Sequence, residues 1–180
     1  MKKILSLQTL FLYVVLINSY CGDNPNFFAR HSKGSNGLIL SLGSTTRGHY
    51  FSGGYSYYFT KYFFSDLTYS FEYGRFHYTD FSTHKLCLTG KANFFSYRKS
   101  IFCNADLGLF GGQEILKERL FDIDSGHQSD FIYGLSLGTH CEYFLTNKLC
   151  LDLALDQNFM RKSLIRSSYI SYGLGFRIFF

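Results

Sequence analysis

Leu149-Cys150-Leu151-Asp152-Leu153-Ala154-Leu155-Asp156 places a leucine at every odd position and both acids at even ones. On a helix the four leucines would scatter around the circumference. On a strand they share one face, and Cys150, Asp152, Ala154 and Asp156 share the other. The C-terminus repeats the theme. Ile170, Tyr172, Leu174, Phe176, Ile178 and Phe180 alternate with Ser171, Gly173, Gly175, Arg177 and Phe179. Leu67, Tyr69, Phe71 and Tyr73 alternate in the same way with Asp66, Thr68, Ser70, Glu72 and Gly74.

Extending the period-two reading in both directions gives eight segments, at 36–45, 48–60, 62–75, 84–95, 101–112, 130–144, 149–159 and 168–180. Most reach the ~9–11 residues with which a tilted strand crosses a bilayer. Connections 60–61, 96–100 and 145–148 read as short, and 76–83, 113–129 and 161–167 as longer. The stretch 44–47 is the one short connection on the long-loop side. Short turns at one end, longer loops at the other and an even strand count form the pattern of an outer-membrane barrel with its turns in the periplasm.

Composition agrees. With 21 Phe, 15 Tyr, 17 Gly and one Pro, the chain suits strands and tight turns better than helices. A hydrophobic share of 46% against 17% charged excludes a disordered chain. A mean hydropathy of −0.03 is too polar for a bundle of spanning helices.

The N-terminus has the layout of a secretory signal: Lys2 and Lys3, an apolar run strongest from Leu10 to Ile17, then the polar stretch Asn18 to Gly22. Ser19 and Cys21 fit the small-residue positions before a cut after Cys21; lipidation of Cys21 is the minority reading. The division expected is a signal peptide at 1–21, a periplasmic segment at 22–35 and the barrel at 36–180. Losing Lys2 and Lys3 takes the net charge from +5 to +3, too mild for a nucleic-acid surface. The remaining cysteines, Cys87, Cys103, Cys141 and Cys150, contain no CxxC. Cys141 and Cys150 fall on opposite faces, so free thiols are expected.

Alternation alone does not separate a lipid-facing barrel from a soluble sandwich. Three features decide. The leader takes the chain out of the cytoplasm. Tyr57, Phe59, Tyr62, Phe63, Phe94, Tyr143 and Phe180 sit near strand ends by the turns, as an interfacial girdle would. The last strand ends in an alternating apolar stretch at Phe180, like a C-terminal sorting strand. The expected architecture is therefore all-β: an eight-stranded antiparallel up-and-down transmembrane β-barrel after an N-terminal signal peptide. The face carrying Asp66, Glu72, Lys85, Lys91, Asp106, Glu142, Asp152, Asp156 and Arg177 turns inward. Eight strands enclose a lumen just wide enough for its own side chains, so these groups are expected to pair and fill it, against a diffusion pore.

Candidates for chemistry are few. His140, Glu142, Cys150 and Asp152 point inward near one turn, a donor mix that suits a transition metal. They match no recognised ligand spacing, and a lumen hydrogen-bond network is the preferred reading. His77, Asp80 and Ser82 share one external loop in this reading, but a triad is recognised by geometry rather than by residue type. Arg161, Lys162 and Arg166 make the last loop basic, and Arg47, Arg75, Lys117 and Arg119 add charge at the same end. Glu114, Glu118, Asp122 and Asp124 dilute the patch, so solvated loop charge is favoured over contact with anionic lipid headgroups. Gly53-Gly54 and Gly111-Gly112 read as bends of the sheet. No catalytic residue, metal, cofactor, small-molecule substrate or direct nucleic-acid contact is expected.

Several pieces from about Cys87 to Phe180 carry a family resemblance. They are Gly111-Gly112-Gln113-Glu114, then Leu120 and Asp122 to Gly126, and most specifically Asp130-Phe131-Ile132-Tyr133-Gly134. Glu142-Tyr143-Phe144-Leu145, Asn147-Lys148-Leu149 and Tyr172-Gly173-Leu174-Gly175-Phe176-Arg177 complete them. About half the chain thereby resembles the TraO family of conjugative-transposon transfer proteins. The resemblance implies an exported barrel in the outer membrane of a Gram-negative bacterium, a non-catalytic accessory of a conjugative DNA-transfer apparatus. Its partners would be outer-membrane lipid and other conjugation-apparatus proteins in the periplasm. The competing readings are a stand-alone surface barrel, adhesive or envelope-stabilising, and, behind it, a lipid-modifying barrel enzyme.

Overall fold

The computed structural model describes residues 32–76, 79–98, 100–120 and 123–180. The leader at 1–21, most of the segment 22–35, His77 and Asp122 lie outside the described residues. Eight strands follow one another: β1 (Asn36–Thr45), β2 (Gly48–Tyr58), β3 (Phe63–Phe76), β4 (Thr79–Tyr97), β5 (Ile101–Leu120), β6 (Ile123–Phe144), β7 (Leu149–Arg161) and β8 (Ser168–Phe179). Each pairs antiparallel with its neighbour, and β1 pairs with β8, so the sheet closes into an up-and-down barrel. Closure leaves no unpaired strand edge, the condition for a sheet in hydrocarbon.

Pleating sends alternate side chains to opposite sides of this wall. On β7, Asp152 is buried while Leu153 and Leu155 are exposed. Leu38, Leu40 and Leu42 of β1, Leu86 and Leu88 of β4, Leu107 and Leu109 of β5 and Leu135 and Leu137 of β6 also face outward. Arg177, Glu72 and Glu142 face inward at 0% exposure. Fully buried ions beside a continuous band of open leucines invert the water-soluble arrangement and identify hydrocarbon as the outer solvent. Aromatics flank the band. Tyr57, Phe59, Tyr62, Phe63, Phe94 and Phe180 are exposed at the end that holds both barrel termini, with Tyr143 half-buried there. Tyr73, Phe131, Tyr133 and Phe159 ring the far end.

The far end departs from the sequence expectation. The reading at 76–83 and 113–129 as long loops is corrected: β4 begins at Thr79, β5 runs to Leu120 and β6 begins at Ile123. Only positions 77–78 and 121–122 separate the strands. Hydrogen-bond ladders continue through Asp80↔Lys117 and Glu114↔Asp130. Ladder bonds need no apolar residue, so a strand that leaves the bilayer keeps its pairing while losing its hydrophobic period. At ~3.4 Å per residue the 20 residues of β5 measure ~68 Å, far beyond a tilted crossing of a ~25 Å apolar band.

Candidate functional site

The barrel's inner face is the candidate site, and it is built in layers. At the terminal end a floor of Tyr58, Phe64, Phe144, Cys150 and Phe179 packs across the lumen. Tyr58 stacks on Phe64 with centroids 4.3 Å apart, and Phe144 stacks on Phe179 at 5.3 Å.

Above the floor lies Arg177 of β8. Its guanidinium donates to the Tyr58 hydroxyl at 2.7 Å, to Asp66 Oδ2 at 3.0 Å and to Asp152 Oδ2 at 3.3 Å, and it pairs with Glu142. Lys91 Nζ joins the layer 2.9 Å from Asp66 Oδ2. One planar cation with five donors thus ties β2, β3, β6, β7 and β8 together, a task suited to arginine's fixed fork.

The next layer holds His140 of β6, with Asp106, Asp152 and Asp156 around its ring. A cavity of about 110 Å³ opens on this layer, between Asp66, Lys91, Asp106, His140 and Asp156.

Beyond the cavity a second apolar cluster forms from Phe110, Ile132, Met160 and Tyr169. Lys85 donates to the Tyr169 hydroxyl and pairs with Glu72 at 3.2 Å. Arg47, in the two-residue connection between β1 and β2, closes the far end. It turns inward, binds Glu72 through two nitrogens at 2.8 and 3.2 Å and reaches Glu114 at 2.8 Å. Its guanidinium also lies 4.4 Å from the centroid of the Tyr169 ring. Burial alone would lower the pKa of this guanidinium, but the hydrogen bond and charge of Glu72 outweigh it and the net shift is upward. Glu114 in turn accepts from Ser163 Oγ at 3.0 Å and from the Leu164 amide at 2.8 Å, which ties the β7–β8 loop over the mouth.

Asp66, Glu72, Lys85, Lys91, Asp106, Glu142, Asp152 and Arg177 are buried within the lumen, and Asp156 is half-buried there. Arg161, Lys162 and Arg166 are exposed. Arg47 and Glu114, read from sequence as loop charges, are corrected to lumen residues: Arg47 is buried against Glu72 and Glu114, and Glu114 against Arg47, Ser163 and the Leu164 amide. The inward parity of Glu114 on a continued β5 was the available signal; Arg47 had none, since a turn residue has no strand phase. The grouping of His140, Glu142, Cys150 and Asp152 separates. Asp152 is 3.1 Å from His140 Nδ1, but Glu142 is held by Arg177, and Cys150 is sealed in the aromatic floor. Asp80 and Ser82 lie on β4 rather than in a loop, with Asp80 bound to Arg75 at 2.6 Å. The described cysteines are free thiols, and Cys103 faces Cys141 across β5 and β6 with their sulfurs 2.8 Å apart.

These features define an eight-stranded transmembrane β-barrel with a packed, ionic lumen. The chain is similar in fold to solved outer-membrane barrels. The N-terminal β-barrel domain of Pseudomonas aeruginosa OprF matches with a TM-score of 0.62 at 13% identity, over 82% of this chain and 98% of that one. Ail, the attachment invasion locus protein of Yersinia pestis, matches at 0.56 and 13% identity, over 82% and 99%. Neisserial surface protein A matches at 0.53 and 17% identity, over 81% and 96%. No protein-family model and no curated protein matches the chain.

Proposed function

We propose that this barrel is an outer-membrane component of a conjugative DNA-transfer apparatus, with a structural rather than catalytic or conducting role. The observation that carries the reading is the spatial convergence of the residues that resemble the TraO family. Gly111-Gly112-Gln113-Glu114 of β5 pairs residue for residue with Asp130-Phe131-Ile132-Tyr133 of β6. Glu142, from another of those pieces, binds Arg177, from the last of them. The resemblance therefore includes residues that pair with one another in the ladder, and Glu114, Ile132, Glu142 and Arg177 among them are buried in the lumen, which favours a shared framework over chance likeness in scattered turns.

A filled lumen supports an accessory role. Aromatic floor, ionic layers and the Arg47 cap succeed one another along the axis, so the barrel works through its ends and its lipid-facing wall. Export across the inner membrane, insertion in the outer membrane and contact with other transfer proteins in the periplasm belong to the same proposal. The test is a mating assay with a donor from which the gene has been deleted. Transfer frequency is expected to fall and to return on complementation. Unchanged transfer, with the protein demonstrably present in the wild-type membrane fraction, would remove the conjugative role and leave a stand-alone envelope barrel.

A further inference from the structure

Gly138 on β6 lies in register between Asp106 of β5 and Asp156 of β7. A Cβ at Gly138 would stand 2.2 Å from Asp156 Oδ1 and 2.9 Å from Asp106 Oδ2. The two carboxylates therefore converge in the space a side chain would have filled. His140, two residues along the same strand and on the same inward face, completes the group. Its Nε2 is 3.5 Å from Asp106 Oδ2 and 3.3 Å from Asp156 Oδ1. Two ligand atoms each ~2.1 Å from a tetrahedral ion stand ~3.4 Å apart, so this spacing suits ligands of one cation.

Independent observations point to such an ion. Asp106 is 6% exposed, yet neither of its carboxylate oxygens has a hydrogen-bond partner. A buried carboxylate without donors is an unfavourable arrangement that a bound cation relieves. This half of the lumen also carries a surplus of negative charge. Asp66, Asp106, Glu142, Asp152 and Asp156 stand against Lys91 and Arg177, while Lys85, which lines the same cavity, is paired with Glu72. The orientation of the imidazole also fits. Nδ1 lies 3.1 Å from Asp152 Oδ1; donating its proton there leaves the Nε2 lone pair facing Asp106 and Asp156. A carboxylate behind the histidine is the usual support for a metal-binding imidazole.

We propose that Asp106, His140 and Asp156 form a lumenal binding site for a divalent transition-metal ion of the zinc class. Asp152 orients His140, Gly138 supplies the room, and the adjoining cavity leaves a further coordination position open to solvent or a small ligand. One imidazole nitrogen with two carboxylate oxygens is a donor set that zinc accepts. The competing state is set by Lys91, whose Nζ lies 2.9 Å from His140 Nδ1. If Lys91 donates into Nδ1, the ring proton moves to Nε2 and the site closes.

The full chain, unfolded with chelator, desalted and refolded in detergent with zinc alone, distinguishes the two, because metal then reaches the lumen before its ends close. After desalting, one zinc per chain is expected, and cobalt in its place should give visible d–d absorption. Asp106→Asn and His140→Ala should lose the metal while keeping the heat-dependent gel shift of a folded barrel. Gly138→Ala should lose it without removing any ligand. Asp152→Asn should bind ~10–100-fold more weakly. A readout free of substitutions is urea unfolding of the refolded wild type, whose midpoint zinc present during refolding should raise. Folded wild-type protein that retains no zinc, folded ligand variants with unchanged zinc content, or an unfolding midpoint that zinc leaves unmoved would each overturn the proposal.

Discussion

The guanidinium of Arg177 on β8 meets the carboxylate of Glu142 on β6 across the lumen, and both side chains have 0% exposure. Asp66 and Asp152 bind the same guanidinium. Replacing Arg177 by Met would leave carboxylates facing one another in a site closed to water, with Lys91 as their remaining close cation. Breaking a buried ion pair in this way costs ~3–5 kcal/mol. Urea unfolding in lipid vesicles, followed by gel mobility, should show a loss of that order. A loss of only ~0–1 kcal/mol, the worth of an exposed pair, would mean that water reaches this layer.

Leu155 tests the opposite side of the wall. It is 54% exposed near the middle of the apolar band, with Tyr172 and Thr139 as its strand neighbours. Leu155→Arg should destabilise the barrel by ~2–4 kcal/mol, the cost of arginine near the bilayer midplane. On a water-facing wall the same change would stay within ~0.5 kcal/mol. Vesicle unfolding of the variant against wild type measures the difference.

What the sequence disclosed follows from what a strand must satisfy inside a bilayer. Where two solvents press on the two faces, every residue has a side to choose. Leu149 to Asp156 and Ile170 to Phe180 therefore declare their phase, and with it the inward position of Asp152 and Arg177. Past the membrane no lipid fixes which residues are apolar, and exposed Lys117 follows buried Glu114 on the same ladder. Lys117 and Gln128 then look like loop residues although they belong to the ladder. The lumen layers were legible only as a list of inward residues. Which acid meets which base depends on barrel stagger, a property of the closed sheet that no single strand encodes. Arg47 shows the limit most clearly, because its direction is set by Glu72 and Glu114 from strands far along the chain.

Cys103 and Cys141 offer a check on register. They are directly opposed on β5 and β6, with Cys103 half-buried and Cys141 exposed, and their thiols are in contact. Shifting the pairing by one residue would turn one of them into the lumen. Mild oxidation with diamide, which accepts the two electrons and two protons released, is expected to close a Cys103–Cys141 disulfide. Cys87 and Cys150, inside the barrel, should stay reduced. Peptide mapping after thiol alkylation reads both results, and a bridge involving Cys150 would contradict the register.

The two ends of the lumen are sealed by different chemistry, which makes the seal testable in parts. At one end the stacked rings of Tyr58 and Phe64 and of Phe144 and Phe179 pack an apolar floor across the lumen. At the other, Arg47 bridges Glu72 and Glu114 under the loop that carries Ser163. Wild-type protein in planar bilayers should therefore give no steady porin-like current. Arg47→Ala alone should stay silent, since the aromatic floor is intact. Tyr58→Ala with Phe144→Ala alone should stay nearly silent for the converse reason. Joining all three changes should admit ions, with a preference for cations set by the surplus of carboxylates around Asp106 and Asp156. Steady conductance from the wild type would mean that the lumen is a pathway, and the structural role proposed for the barrel would have to be replaced by a conducting one.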